Sequence, residues 1–417
     1  MKNIMFVSHG HPKYMKGGAE VASWNLFSLL KSAGYNCLYV ARTDSIPQQG
    51  SNLNRIAPDQ VLFHSSINDW FNLTASDTKN LRDCLKEITD EFKPDLIHIH
   101  HYAHIGIEIF RLFKQLSPQA KVVFTVHEYM AICLHNGQMV KSGTLELCEN
   151  ALEADCHRCF PQHTAPDFFL RKQYIQDQFD CVDHFVSPSA FLAKRYIEWG
   201  LPESKFSVIE NVLTEQQRLP PRELVAGEKR NRFAFFGQIN PYKGVDVLLE
   251  ALVLIPQSIR SHLRIDIHGA NLDHQRPDFK DKILKTIEKL DDCVVLRGQY
   301  EPHELQSLMN ETDWVIIPSI WWENSPVVIQ EAISFGRPLI GSNIGGMKEK
   351  IEGKAGLTFE ARNASALAKA IVEATEPSVF DYWYSKTAGN ASPFKEHVQL
   401  IQSLLIEEAT IDEIQGQ

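Results

Sequence analysis

Long apolar runs are missing from this chain of 417 residues. No segment approaches the roughly 20 consecutive apolar residues that a membrane-spanning helix needs. The first residues, MKNIMFVSHG, hold too short an apolar run for a secretory leader. A cytoplasmic chain is therefore expected. Basic residues are scarce too: 42 Lys and Arg against 52 Asp and Glu give a formal charge of -10, and no basic run offsets it. That balance argues against nucleic acid as a partner. Repeats and low-complexity stretches are lacking. The G-x-G-x-x-G fingerprint of dinucleotide binding is absent, and no Asp-x-Asp motif stands at a strand end, so no catalytic metal is expected. What remains, 44% hydrophobic and 23% charged, is an ordinary globular composition, and the length suits two domains.

The stretch DWVIIPSIWWENSPVVIQEAISFGRPLIGSNIGGMKE, residues 313–349, organises the reading. Residues 314–317 are a short apolar, β-branched run that reads as a buried parallel strand. Ser325 and Pro326 read as an N-cap and first helical position, residues 327–335 as a helix, and Gly336 as its end. Glu323 and Glu331 thus bracket a helix N-terminus at the carboxyl end of a strand. Ligands bind at that edge in open α/β sheets, and exposed N–H groups there favour anions.

The amino-terminal half alternates in the same way. A strand over 4–8 leads through a loop ending in Gly17-Gly18 to a helix over 19–32, and a strand follows over 36–41. The two glycines serve either a tight turn or a backbone approach to an anionic ligand. Residues 52–78 show no clear period and are expected to be irregular. Further strands are expected over 96–100, 121–126, 183–187 and 207–210. His127, just past one of them, stands at the binding edge, whereas His98, His100 and His101 read as structural. Cys133, Cys148, Cys156 and Cys159, the last two as C-x-x-C, have spacing that suits a structural zinc ion; buried thiols are the competing reading. The polar segment 214–232, with Pro220-Pro221, reads as a linker.

In the carboxyl-terminal half, strands over 232–236, 263–268, 294–297, 315–317 and 339–340 alternate with helices, which implies a second parallel sheet. Lys243 follows its first strand as Glu323 follows its fourth. A cation and two carboxylates on one edge suit an anionic, hydroxyl-rich ligand; a solvated loop lysine is the plainer alternative.

Five stretches carry a resemblance: GGAE at 17–20, TVHEY at 125–129, FFGQINPYKGVDVLLEA at 235–251, ENSPVVIQE at 323–331 and IGGMKE at 344–349. They resemble, in order and across both halves, the retaining glycosyltransferases of family four, group 1 type. The resemblance implies the α/β GT-B fold, two Rossmann-like doubly wound domains facing across a cleft. Residues 1–213 would form the acceptor-side domain, with a cysteine-rich insertion at about 133–159. Residues 214–390 would bind the nucleotide-sugar donor, and 391–417 would form a helix crossing back to the first domain. Lys243 would contact the donor diphosphate, Glu331 the ribose, and Glu323 the hydroxyls of the transferred sugar. Backbone N–H groups of Asn324, Ser325 and Val327, beside Pro326, would lie near that sugar and the phosphate. His127 would lie near the sugar and Gly17-Gly18 near the phosphate. Gln238 replaces the family's usual arginine, Asn324-Ser325 its common Gly-Phe pair, and Lys348 a frequent proline.

The resemblance further implies sugar transfer to an acceptor hydroxyl with retained configuration, as in bacterial polysaccharide or glycolipid assembly. The partners would be a nucleotide sugar and a carbohydrate or lipid-linked saccharide, with no cofactor for catalysis. An inactive sugar-nucleotide-binding protein of the same fold is the alternative, and an epimerase or phosphorylase fits the motifs less well. Arg171, Lys172, Lys194 and Arg195 could supply a basic face for peripheral contact with the cytoplasmic face of the inner membrane; solvated helix charges are the other reading of these residues.

Overall fold

The computed structural model describes residues 2–15, 17–45, 52–213, 216–290, 293–387 and 393–415, with side chains as far as Ile406. The chain divides into two compact units, one of residues 1–214 with 392–417 and the other of 215–391. Among the described residues, no helix is long and apolar enough to cross a membrane.

The first unit is built on a sheet of β1 (Asn3–Ser8), β2 (Asn36–Thr43), β3 (Leu53–Ala57), β4 (Gln60–His64), β7 (Leu96–Ile99), β8 (Lys121–Thr125), β9 (His184–Ser187) and β10 (Phe206–Val208). Their order is β10-β9-β8-β7-β1-β2-β4-β3. All neighbours run parallel except the edge pair β3 and β4. Ile4, Met5, Phe6 and Val7 of β1 are fully buried, as expected of a central strand covered on both faces. The helix Pro393–Gln415 lays Ile401, Leu404 and Leu405 into the same core as Ile4, Phe6 and Leu26. Residues 52–78 are not the irregular excursion expected. They supply β3, β4 and a small hairpin of β5 (Ile67–Asp69) and β6 (Thr74–Ala75). The buried run Val61, Leu62 and Phe63 is only one strand-centre long, and β3 is a half-exposed edge, so neither gives a periodic signal.

The second unit holds β11 (Arg232–Phe236), β12 (Arg264–His268), β13 (Val294–Gly298), β14 (Trp314–Ile317), β15 (Leu339–Ser342) and β16 (Gly356–Phe359). They are all parallel, in the order β13-β12-β11-β14-β15-β16. The period of two is explicit in the centre: Phe233, Phe235, Trp314 and Ile316 enter one core, and Ala234, Phe236, Val315 and Ile317 the other. The chain winds outward in opposite directions from β11 and β14, so the switch point of the sheet lies between those two strands.

The expected linker is not one. Beyond the undescribed positions 214 and 215 its segment packs on the second unit. Arg222 and Arg230 pair with the fully buried Asp313 at 3.0 and 3.3 Å, and Leu219 is buried in the core.

Candidate active site

In the second unit, the loops after β11 and β14 meet at the switch point. The carboxamide oxygen of Asn240 accepts from the backbone N–H groups of Tyr242 and Lys243 at 3.0 and 3.1 Å, an Asx turn that fixes where the lysine leaves the chain. Gly244 follows with φ 69°, and a side chain there would lie 2.0 Å from the Pro318 carbonyl oxygen. Only glycine lets this turn close on the β14 loop. Lys243 Nζ then reaches Glu323 Oε1 at 2.5 Å, and the Ser319 hydroxyl donates to the same oxygen at 2.8 Å. Glu323 is 5% exposed, so its charge depends on these partners. Lys243 also lies 5.7 Å from the centre of the Trp321 ring, in cation–π range.

The Glu323 carbonyl accepts from Gly346 N–H at 2.9 Å, and a side chain at Gly346 would strike the Asn324 carbonyl oxygen at 1.6 Å. Gly345 and Gly346 are therefore needed for the loop that backs Glu323. The following helix is Val327–Ser334, and Pro326, not Ser325, occupies its N-cap. Ser325 Oγ instead accepts from the Gln330 side chain at 3.3 Å. Glu331 lies within the helix, and burial raises its carboxyl to about 7. Gln238 is exposed. Ser319 and Trp321 were not singled out in the sequence, because their roles come from loop closure and not from spacing along the chain.

The first unit gathers another cluster at the carboxyl ends of β1, β7 and β8. Gly17 is the N-cap of the helix Gly18–Ser32, whose first turn carries Glu20. Glu20 is 2% exposed and accepts from His9 Nε2 at 3.0 Å. Burial works to raise this carboxyl, but the His9 hydrogen bond and charge, with the nearby His127, hold it below its ordinary value. A side chain at Gly17 would strike Glu20 Oε2 at 2.3 Å. Thus Gly17, Gly18 and His127 do share one neighbourhood, joined by Glu20. His127 Nε2 lies 3.1 Å from His100 Nδ1, and burial pushes His127 down to about 4. His9 was not singled out in the sequence, Glu20 entered only within the GGAE stretch and His100 read as structural, because strand order and the helix after β1 bring them together. Beside them, Gly10, His11, Tyr14, Arg42 and Asp44 line a cavity of about 540 Å³.

The cysteines occupy three segments. Cys148 N–H donates to the Met139 carbonyl at 2.8 Å, Cys156 and Cys159 lie on the helix Glu153–Cys159, and Cys133 is buried. Burial and neighbouring thiols push Cys156 up to about 12, and burial pushes Cys133 to about 11. Among the described residues, no three His, Cys, Asp or Glu side chains stand where they could hold one metal ion. The tetrahedral set anticipated from spacing is not assembled in this geometry.

The basic face is likewise corrected. Arg171 is 3% exposed and donates to the carbonyls of Phe71, Ala131 and Met130 at 2.5, 2.6 and 2.7 Å. Arg195 is mostly covered, bonds to the Glu149 carbonyl and stacks on Phe191, while Lys194 pairs with Glu198 at 3.6 Å. Lys172 lies over the Trp199 ring.

Comparison with known proteins agrees with this fold. Residues 16–216 match the family described as Glycosyltransferase Family 4, and residues 230–376 match Glycosyl transferases group 1. The lipopolysaccharide 1,2-N-acetylglucosaminetransferase of Salmonella typhimurium is 27% identical over 61% of this chain and 67% of its own length. The D-inositol 3-phosphate glycosyltransferase of an Arthrobacter species is 24% identical over 65% of this chain and 60% of its own. The chain thus spans roughly two thirds of the length of these relatives. The crystal structure of Anabaena HepE with UDP and glucose superposes with a TM-score of 0.64 at 16% identity, covering 97% of this chain and 100% of that one. With both halves matched in order and the GT-B fold shared, the chain belongs to the group 1, family 4 glycosyltransferases, enzymes that act on nucleotide sugars.

Proposed function

We propose that this enzyme moves a sugar from a nucleoside diphosphate to an acceptor hydroxyl with retention of configuration, in the assembly of a bacterial polysaccharide or glycolipid. The observation that carries this reading is the Lys243–Glu323 pair at the switch point of the second sheet. A donor presents a diphosphate and a hydroxyl-bearing sugar, and the pair offers one group for each. Lys243 neutralises the charge that grows on the leaving diphosphate. Glu323 accepts from sugar hydroxyls, with one oxygen already engaged by Lys243 and Ser319. A carboxylate so committed is suited to binding and not to attack. Retention then follows from the leaving phosphate, which takes the acceptor proton on the face it departs from. N–H groups at the start of the helix Val327–Ser334 assist the phosphate, and Glu331 takes the ribose hydroxyls. His127 and the Gly17-Gly18 backbone serve the sugar and phosphate in the same reaction.

The acceptor reading draws on the cavity beside Tyr14 and Asp44, where an exposed aromatic ring and polar groups suit a saccharide. A role in polysaccharide or glycolipid assembly is supported by the Salmonella relative, whose name places it in lipopolysaccharide synthesis. Nucleotide release from a panel of UDP-, GDP- and ADP-sugars, with NMR of the product anomer, tests the proposal. Release with one donor and a retained anomer is expected. Inversion would overturn the mechanism, and silence from folded protein across donors and acceptors would favour a binding protein without activity.

A further inference from the structure

His100 and His127 follow adjacent parallel strands, β7 and β8, whose register sets Ile99 beside Phe124. The two imidazoles therefore meet, His100 Nδ1 to His127 Nε2 at 3.1 Å. Between two neutral rings only one of these nitrogens can carry the shared proton. Its location follows from the other end of His100. That residue is 2% exposed, and its Nε2 is buried without a hydrogen-bond partner. The surroundings explain the isolation: Phe6 covers His100 at 5.9 Å between ring centres and the His98 ring lies at 4.3 Å, with His98 Nε2 itself engaged by the Thr125 hydroxyl at 2.7 Å.

Two tautomer assignments are open. If His127 donates, the proton of His100 must sit on Nε2, leaving a buried N–H with no acceptor. If His100 donates, Nε2 keeps only a lone pair, and an under-satisfied acceptor is better tolerated than an orphaned N–H. The second arrangement is favoured by a factor on the order of ten or more. It places the single proton of His127 on Nδ1. Burial keeps both rings neutral, so the argument holds at ordinary pH. Of the other groups around the pair, His98, His101 and His397 are held neutral by burial, whereas Glu20, paired with His9, contributes negative charge.

We propose that His100 is a positioning residue that fixes His127 as its Nδ1–H tautomer, so that His127 meets the bound sugar as a hydrogen-bond donor and not as a base. The contact with sugar rests on the function proposed above; the tautomer does not. Long-range ¹H–¹⁵N correlation on the full chain with ¹⁵N-labelled histidine reads it directly, the His127 pattern being identified by its loss in His127→Gln. Protonated Nδ1 and bare Nε2 are expected for His127, and the reverse overturns the proposal. His100→Phe removes the donor and should move His127 toward the Nε2–H form, with kcat falling on the order of tenfold and donor KM nearly unchanged. An unchanged tautomer in that variant also overturns it. His100→Asn, whose amide N–H can replace Nδ1–H, should restore both pattern and turnover; if His100→Phe does not fold, this variant and the wild-type spectrum decide. Should no donor be turned over by the wild type, the spectra still test the tautomer while the enzymatic reading fails separately.

Discussion

The two units present polar groups at the same edge of the same kind of sheet, yet they meet the cost of desolvation in opposite ways. The second unit keeps charges and pairs them: Lys243 and Glu323 at 2.5 Å, braced by Ser319. The first unit mostly discharges its groups. His98, His100, His101, His127 and His397 are all pushed toward the neutral form by burial, while Glu20 stays charged against His9. A buried ion pair is sensitive to loss of either partner, whereas a neutral imidazole column is sensitive to protonation. Perturbing each unit by the other's weakness should leave it little changed.

The largest effect is expected at Lys243. Lys243→Ala removes the diphosphate's cation and strands a buried carboxylate, so turnover should fall by on the order of 10²–10³, with near-normal turnover in a folded variant breaking the assignment. The same pair gives a sharper thermodynamic test. Lys243→Met and Glu323→Gln should each destabilise, and most where the charge is left alone. Breaking a buried pair costs about 3–5 kcal/mol, and about 2 kcal/mol is the fitting discount here because a quarter of the lysine side chain remains exposed. The double variant should cost clearly less than the sum of the singles in urea unfolding. Simple additivity would show that the two side chains do not sense each other.

Acid should act on the first unit. His127 and His397 stand at about 4 in the folded chain, against about 6.5 when unfolded. The unfolded chain therefore binds protons first, and the stability these residues contribute is present above about 6.5 and lost as pH falls toward 4. Each contributes up to about 3 kcal/mol. Glu128, raised to about 8 by burial, works the other way, but it is one group against five histidines. Peptide-resolved hydrogen exchange, corrected for intrinsic rates, should show segments of β7 and β8 losing protection between pH 6.5 and 4 ahead of β11 and β14. Simultaneous loss would remove the contrast between the units.

This contrast also marks how far the sequence could be read. The strand ends that carry Lys243 and Glu323 were legible because short apolar runs, a proline and two glycines announce them locally. The central strands were legible for the same reason, their β-branched and aromatic runs being buried on both faces. The pairings of His9, Glu20 and His100 were not, because they join groups that follow β1, β7 and β8, and strand order is a non-local fact. Arg171 misled in the opposite direction: helix position suggested solvent, yet three carbonyls from two loops surround its guanidinium. The 216–232 segment misled similarly, since its charges look like those of a linker until Asp313 is placed beneath Arg222 and Arg230.

Glu331 offers the smallest and most discriminating test, because burial alone raises its carboxyl. Its folded value of about 7 lies above the ordinary carboxyl value of 4.5. The folded chain therefore holds this proton more tightly than the unfolded one, so stability is fully present below about 4.5 and declines as pH rises through 7, the reverse of the histidine trend. Glu331→Gln keeps the shape and removes the charge. It should leave stability nearly unchanged at pH 4 and raise it by about 1–3 kcal/mol at pH 8, while weakening donor binding through loss of the ribose contact. Urea unfolding at the two pH values separates these effects. A variant less stable at pH 8 would mean that the carboxylate has a folded-state partner, and the second unit would then contain a second buried ion pair instead of a carboxyl group waiting for its ligand.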